Sequence, residues 1–294
     1  LRYLLKNDIA LKAGFSTMTQ FINLLTSEAL TLPTDLWVPS TARIKPQESW
    51  QVALGAAKTI ADEYELSAEV YYKEMDNVIS FKEGASFLFG LENDWQSKVT
   101  QGDGDSYGLE LFFQKKRGQT TGWIGYTLSW NNRQFAEINS GRRFPFRYDR
   151  RHDISVVVNH DFSEKVGLSA AWVYGTGNAI TLNTITYPTA VYPGFNGGQP
   201  FFGEIETGGD KNAFRMSNFH RLDLSVEFRK KKPKWERKWV IGLYNAYYHR
   251  NPYYVISDNE PVRDAQGNII DERRVFKEIS ILPIIPSVSY QFKF

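Results

Sequence analysis

Hydrophobic and polar residues alternate along most of this chain, most regularly at its C-terminal end. In residues 286–294, Val288, Tyr290, Phe292 and Phe294 share one parity, and polar residues occupy the other. Because successive side chains of a strand point to opposite faces, this pattern predicts a strand with one apolar and one polar face.

The same alternation recurs upstream and predicts ten strands. They are expected at 5–15, 47–60, 63–73, 107–116, 119–133, 148–162, 166–176, 218–230, 237–250 and 275–294. The connections alternate between short (61–62, 117–118, 163–165, 231–236) and long (16–46, 81–106, 134–147, 177–217, 251–274). Outer-membrane barrels have short periplasmic turns and long extracellular loops, and their apolar strand face meets lipid. The pattern therefore predicts an all-β, antiparallel transmembrane β-barrel; a soluble two-sheet sandwich is the alternative.

The amino-acid composition bears on the choice between a membrane barrel and other classes of protein. The 16 Tyr and 8 Trp suit a boundary between apolar material and water. No apolar run reaches the roughly 18 residues of a membrane helix, which excludes helical spans. A net charge of +2 gives no reason to expect nucleic acid, and the absence of cysteine excludes disulfides and thiolate metal sites.

Several stretches resemble one known family, the TonB-dependent outer-membrane receptors, in particular those of Bacteroidetes-type bacteria. They are TDLWVPST (34–41), YGLEL (107–111), GWIGYTLSW (122–130), FPFRYDRRHDISV (144–156), AAWVYGTGNAIT (170–181), NFHRLDLS (218–225) and PSVSYQFKF (286–294). The resemblance covers nearly the whole chain, in strand order.

This resemblance implies an energised transporter of a scarce solute such as a siderophore, glycan or peptide. Its barrel would have about 22 strands with a plugged lumen. The implied partners are outer-membrane lipid, an inner-membrane TonB-type energy transducer, the barrel-assembly machinery and a surface lipoprotein lid. Ten strands cannot complete such a barrel, so we expect residues 1–294 to be its C-terminal portion. The plug and the remaining strands are expected upstream of Leu1.

Two groups of residues are candidates for function. A cationic rim of Arg142, Arg143, Arg147, Arg150 and Arg151 could attract an anionic ligand, since a narrow mouth focuses the electric field. The alternative is that these arginines pair with aspartates at an ordinary strand start. On the resemblance, Val288, Tyr290, Phe292 and Phe294 form the membrane-insertion signal of the last strand.

Other charged residues suggest structural roles or weaker alternatives. Eight charges on the polar strand faces could contact a plug or a solute, or pair across neighbouring strands (Glu63, Glu65, Glu69, Glu110, Arg221, Asp223, Glu227, Arg229). The four histidines show no ligand spacing, so we predict no metal, cofactor or catalytic site, and 101–106 (QGDGDS) is expected to be a turn. A passive ten-stranded channel and a protease using His152 and Asp153 are the competing functions, although His152 shares parity with Ile154 and should face lipid.

Overall fold

The computed structural model describes residues 1–25, 36–83, 94–182, 185–191, 201–207 and 209–294, with the backbone alone in 185–191 and 201–207. In this part of the chain the strands are joined by three single-turn 3₁₀ helices, at Lys6–Asp8, Trp95–Lys98 and Asn139–Gly141. In chain order the strands are β1 (Arg2–Leu4), β2 (Ile9–Gln20), β3 (Ile22–Leu25), β4 (Leu36–Pro39), β5 (Gln47–Ile60), β6 (Tyr64–Phe81), β7 (Val99–Lys115), β8 (Thr120–Gln134), β9 (Phe144–Pro145), β10 (His152–Ser163), β11 (Val166–Gly175), β12 (Ala179–Ile180), β13 (Ile185–Val191), β14 (Phe201–Thr207), β15 (Phe214–Arg215), β16 (Phe219–Lys232), β17 (Trp235–Tyr244), β18 (Tyr254–Arg263), β19 (Ile269–Ile279) and β20 (Ile285–Lys293). No helix among these residues is long and apolar enough to cross a membrane.

Ten long strands form one antiparallel sheet, which we call the wall. Their order is β2, β5, β6, β7, β8, β10, β11, β16, β17 and β20; the short β1 pairs with β2 and β9 with β8. The prediction of ten antiparallel wall strands is confirmed. Within the described residues the order is linear, and β20 pairs with β17 alone. Among the described residues the wall is therefore an open antiparallel sheet.

One face of the wall, the outer face, is apolar and exposed. Leu54, Val70 and Ile241 each leave about half of their surface open, at 54%, 49% and 49%. The residues opposite them on adjacent strands are also apolar; Leu54, for example, lies opposite Val70. A soluble sandwich would bury this face against a second sheet about 10 Å away. The lipid-facing prediction is confirmed and the sandwich alternative is wrong.

Aromatic side chains mark the edges of this apolar band. Across four neighbouring strands, Trp50 contacts Tyr72, Tyr72 stacks on Tyr107, and Tyr107 stacks on Trp130, with centroid separations of 5.5, 6.5 and 5.2 Å. On β6, Tyr64 and Tyr72 lie about 26 Å apart along the strand at ~3.3 Å per residue. That is the scale of the roughly 25 Å apolar band of outer-membrane barrels, before strand tilt is counted.

The two ends of the wall differ in the length of their connections, as predicted. At the short-turn end, β5 and β6 are joined by a tight turn in which Ala61 and Asp62 have φ of 51° and 53°. Two positive φ values suit the right-handed twist of the strands that flank a hairpin. The turn between β10 and β11 is held by Ser163, whose Oγ accepts from the backbone N–H of Lys165 at 3.2 Å. All long connections lie at the opposite, long-loop end.

A compact cap covers the long-loop end of β5 to β8. It contains two hydrophobic clusters, which are Leu25, Val38, Ile44, Phe81 and Val99, and Met75, Val78, Phe135, Ile138 and Phe144. The buried Lys211 ties distant loops into the cap. Its Nζ donates to Ser80 Oγ at 2.5 Å, and its backbone N–H donates to Asn139 Oδ1 at 2.7 Å. The cap thus has a soluble-type core above the exposed wall.

The first main correction concerns β6 and β7, which are much longer than predicted. The predicted loop at 81–106 is wrong in its second part, because β7 begins at Val99 and includes the predicted turn at 101–106. The glycines there allow close packing. A Cβ at Gly102 would lie 2.6 Å from the ring of Phe135, and one at Gly104 would lie 2.7 Å from Arg133 Nη1. β6 and β7 extend beyond the membrane band because hydrophobic residues of the cap pack against their ends.

Further corrections concern regions predicted as loops. Residues 251–274 were expected to be a loop, but they contain β18 and most of β19, which pair as a hairpin. The predicted closing strand at 275–294 is divided: its first part belongs to that hairpin, and β20 starts only at Ile285. Pro286 lies in β20, where a residue without an N–H is tolerated at an edge strand. The 177–217 loop contains β12 to β15, and the 16–46 stretch contains the end of β2 and the β3–β4 pair.

Candidate functional site

A buried carboxylate organises the mouth of the wall at the long-loop end. Asp149 is 1% exposed, and its Oδ1 accepts the backbone N–H of Asn131 at 2.7 Å. Its Oδ2 pairs with Arg151 at 3.4 Å and with Arg215 at a shorter distance, while Arg215 Nη1 also donates to the Asp149 carbonyl at 2.7 Å. Charge-assisted bonds of this kind are the strong ones. Asp149 therefore clamps two long connections onto the top of β8.

The predicted arginine rim is largely engaged with carboxylates. Arg151 is held by the Asp149 clamp, and its guanidinium also lies 4.4 Å from the ring centroid of Trp130. Arg147 lies at 6.0 Å from the ring of Tyr148. The other three form the ion pairs Arg142–Asp210 at 2.6 Å, Arg143–Asp105 at 3.1 Å and Arg150–Asp153 at 3.5 Å. This is the geometry of the alternative interpretation, in which arginines pair with aspartates; a ligand role for the rim stays a prediction.

The polar face of the wall, the inner face, carries a ladder of ion pairs nearer the short-turn end. Glu227 on β16 binds Arg229 Nε at 2.5 Å and Lys238 Nζ on β17 at 2.7 Å, and Arg229 reaches Asp161 on β10. Glu65–Lys116 is a further pair at this end, Arg221–Asp223 at 2.9 Å lies nearer the mouth, and Glu63 pairs at 3.4 Å with Lys115, which has the parity of the outer face and lies over the Tyr64 ring. Of the eight charges selected from the sequence, six are paired in this way. The exceptions are Glu69 and Glu110, which lie directly opposite each other on β6 and β7.

Two inner-face cations that the sequence analysis did not select lie just below the mouth. Lys73 on β6 and Arg133 on β8 both have the parity opposite to the exposed aromatics, and neither forms an ion pair with a carboxylate among the described residues. Arg133 lies across Gly104 of the intervening β7 and stacks on the Phe146 ring at 4.4 Å.

Hydrogen bonds hold the Arg133 guanidinium in place. Its Nη1 donates to Asn131 Oδ1 at 2.6 Å and to the Asn132 carbonyl at 2.9 Å. These acceptors are neutral and position the charge, while the nearby Asp105 carboxylate, which pairs with Arg143, attracts it without forming an ion pair. Parity alone could have placed Lys73 inside, but the lack of a carboxylate partner is visible only in three dimensions.

The last strand presents its predicted signal residues on the outer face. Val288, Tyr290, Phe292 and Phe294 are all well exposed. Tyr290 contacts Trp239 at 4.6 Å and Phe292 stacks near Trp235 at 5.9 Å between ring centroids. The positions suit an aromatic girdle at the short-turn end, and their role in membrane insertion stays a prediction.

The geometry does not assemble the protease pair. His152 Nδ1 lies 2.9 Å from the Tyr126 hydroxyl on the outer face, whereas Asp153 pairs with Arg150 on the inner face. Neighbouring strand residues on opposite faces cannot act as a dyad. In the described parts of the chain, no group of three or more His, Asp or Glu side chains could hold a metal ion.

Comparison with known proteins identifies the family. A family model described as TonB dependent receptor-like, beta-barrel matches residues 1–246. The chain belongs to this family. Its members are transport receptors of the bacterial outer membrane, not enzymes, and the long loops of outer-membrane barrels are extracellular. No curated protein matches the chain.

Solved structures of such receptors share the fold. The ferripyoverdine receptor of Pseudomonas aeruginosa aligns with 86% of this chain and 29% of its own, at 11% identity and a TM-score of 0.53. The yersiniabactin uptake receptor FyuA from Yersinia pestis aligns with 100% and 36%, at 14% identity and 0.53. The FrpB iron transporter from Neisseria meningitidis aligns with 99% and 38%, at 8% identity and 0.54. The chain thus spans about a third of the length of these receptors, and at such identities the likeness shows the fold alone.

Proposed function

We propose that this chain is the C-terminal wall section of a receptor in the bacterial outer membrane that takes up a scarce, anionic solute. Membership of the receptor-barrel family supports uptake, and the linear strand order supports a wall that continues beyond these ten strands. The remaining strands and a plug would complete the barrel. A TonB-type transducer in the inner membrane would supply energy, the barrel-assembly machinery would insert the barrel, and a surface lipoprotein lid would cover the mouth, as in a Bacteroidetes-type receptor.

The preference for an anion rests on Lys73 and Arg133. Both cations lie on the inner face under the mouth, and neither forms an ion pair with a described carboxylate; Lys73 lies opposite Gln51 and Ser106, and Arg133 is held by Asn131. A solute entering a narrow mouth passes low-dielectric walls, where an uncancelled positive charge acts over a longer range than in water. The structural neighbours include receptors for ferripyoverdine and ferric yersiniabactin and an iron transporter. Negatively charged ferric chelates are therefore the first solutes to test, ahead of acidic peptides and acidic glycans.

Binding of radiolabelled ferric chelates that differ in charge tests the anion preference in the full-length receptor. Lys73→Gln and Arg133→Gln should each weaken binding of the anionic chelate about tenfold, the loss expected for one charge-assisted hydrogen bond. Lys234→Gln is the control, because Lys234 lies in the exposed turn after β16, at the end of the wall away from the mouth. Equal binding by all three variants would overturn the anionic assignment.

Cells lacking the energy transducer test the transport class independently. Uptake should stop while binding at the cell surface persists. Uptake that continues unchanged would instead support the passive channel. The passive channel has little structural support, because β20 has no second strand beside it in the described residues.

A further inference from the structure

The outer face between its two aromatic edges carries one charge in the region of β2 and β5 to β8. Lys58 on β5 lies there in a row with Ile9 on one side and Leu66 on the other, and the row continues through Phe113 and Ile124. Tyr64 and Tyr72, with the residues opposite them on the adjacent strands, mark the two aromatic edges. Between these two rows, every other outer-face side chain on these strands is uncharged. Lys58 is exposed and makes no hydrogen bond or ion pair with the described residues.

A charge on a lipid-facing surface is tolerated only where it can reach the interface or an opposite charge. An Arg or Lys costs about 2–4 kcal/mol at the bilayer midplane and about 0–1 kcal/mol near an interface. Lys58 lies close to the short turn at Ala61 and Asp62, and its flexible stem can carry the ammonium to the headgroup layer. In that headgroup layer, the anionic groups within reach of the ammonium are the lipid phosphates of the leaflet at the short-turn end.

An apolar hollow begins beside Lys58 and runs up the wall. Ala56 and Ala68 lie opposite each other with Leu11 and Leu111 on either side, so two methyl groups replace the larger side chains of the rows above and below. The hollow has a volume of about 620 Å³, and Lys58 is part of its lining. A second hollow of about 530 Å³ shares both alanines and continues toward Leu54.

The length of this track is close to the thickness of the hydrocarbon layer of one leaflet. From the row of Tyr64, the level that the Lys58 ammonium can reach, to the row of Ala56 and Ala68 the distance along the strand is about 13 Å at ~3.3 Å per residue. Half of the ~30 Å hydrocarbon core of a bilayer is close to this length. A lipid whose phosphate binds Lys58 would therefore place one acyl chain along the alanines and end near the middle of the membrane.

We propose that Lys58 and the Ala56–Ala68 track form a binding site for one anionic phospholipid of the leaflet at the short-turn end. The ammonium selects the negative headgroup, and the track holds an acyl chain that a bulkier wall would exclude. This site faces away from the inner face and does not depend on which solute the receptor carries.

Native mass spectrometry of the full-length receptor, released from nanodiscs of equal phosphatidylglycerol and phosphatidylethanolamine, tests the proposal. The wild-type receptor should retain phosphatidylglycerol about fivefold more than Lys58→Gln, which corresponds to about 1 kcal/mol for one basic side chain at a membrane surface. Lys58→Arg should keep the retention, and Lys234→Gln, in the exposed turn after β16, should not change it. Equal retention by Lys58→Gln and the wild type would overturn the proposal.

A second variant separates a whole lipid from its headgroup. Ala68→Leu fills the track and leaves Lys58 in place, so retention of phosphatidylglycerol should fall although the charge is unchanged. Glycerol 3-phosphate, which has the phosphate and no acyl chain, should not displace the bound lipid. Retention that survives Ala68→Leu, or displacement by glycerol 3-phosphate, would overturn the acyl-chain part of the site and leave a phosphate site only.

Discussion

The wall and the cap use the same kinds of residue in opposite ways. Leu111, in the middle of the wall, is 41% exposed, whereas Phe135, in the cap, is 2% exposed. The buried hydrophobic residues lie almost entirely beyond the membrane band; in the described wall, Ala10 is the exception. Lipid replaces the missing core in the wall, while the cap stands in water and must build its own core. A hydrophobic residue in this chain therefore does not indicate burial by protein until its height along the strand is known.

Truncation of the cap core should give the largest effect. Phe135→Ala removes a fully buried ring that packs against Phe144 at 6.0 Å, and it should lower the stability of the cap by about 3–5 kcal/mol. The loss should be similar in detergent and in lipid, because the ring contacts protein only. Amide hydrogen exchange of the loops around the cap measures it.

A matched control for that variant lies on the outer face of the wall. Leu111→Ala leaves no cavity inside the protein, since lipid can fill the space, and it should cost much less than Phe135→Ala. If the two truncations were equally costly in a bilayer, the distinction between wall and cap would not hold.

A charge on the outer face should give the next largest effect. Tyr126→Arg places a guanidinium on the apolar face near mid-wall and should cost about 2–4 kcal/mol of folding free energy in a bilayer. Thr127→Arg, one residue later, points to the inner face beside Glu110 and Asp153 and should be nearly neutral. Reversible unfolding in vesicles compares the two, and a neutral Tyr126→Arg would contradict the lipid-facing assignment.

The smallest expected effect concerns the β18–β19 hairpin, which has neither lipid nor a large core to hold it. Hydrogen bonds from Lys277 lower the pKa of Asp258 and of Glu260, at 2.7 and 3.0 Å, and the same bonds raise the pKa of Lys277. Carboxylates with lowered pKa contribute stability above their ordinary pKa, and the contribution is lost as the pH falls through the folded value.

Hairpin protection should therefore decrease below about pH 4, the ordinary range of these carboxyl groups. The raised pKa of Lys277 has the opposite sign: its contribution is present below its ordinary pKa and is lost as the pH rises through the higher folded value. Hydrogen exchange of the β18–β19 amides, corrected for intrinsic rates, measures both limits. Lys277→Gln should flatten the pH dependence, and an unchanged profile in that variant would remove Lys277 as its cause.

The site could be predicted only in part, for a physical reason. The sequence places Arg142, Arg143, Arg150 and Arg151 near the mouth, and they lie there. Which cations are neutralised depends on carboxylates from distant segments; Asp210 reaches Arg142 and Asp105 reaches Arg143 across long connections. The same dependence concealed Lys73 and Arg133, whose distinction is the lack of such a partner.

Alternation along the strands was enough to determine the wall. A period of two assigns each residue to one face, and the ten strands, their antiparallel order and the lipid-facing residues follow from it together with connection length. Only the tertiary structure decided what happens above the membrane. There Phe135 packs over Gly102, and residues 101–106, which the sequence predicts to be a turn, are part of β7. Pro261 lies within β18 and Pro286 within β20, which are separate strands. Local pattern is sufficient where the surroundings are uniform lipid on one side and water on the other; in the cap, the surroundings are the protein itself.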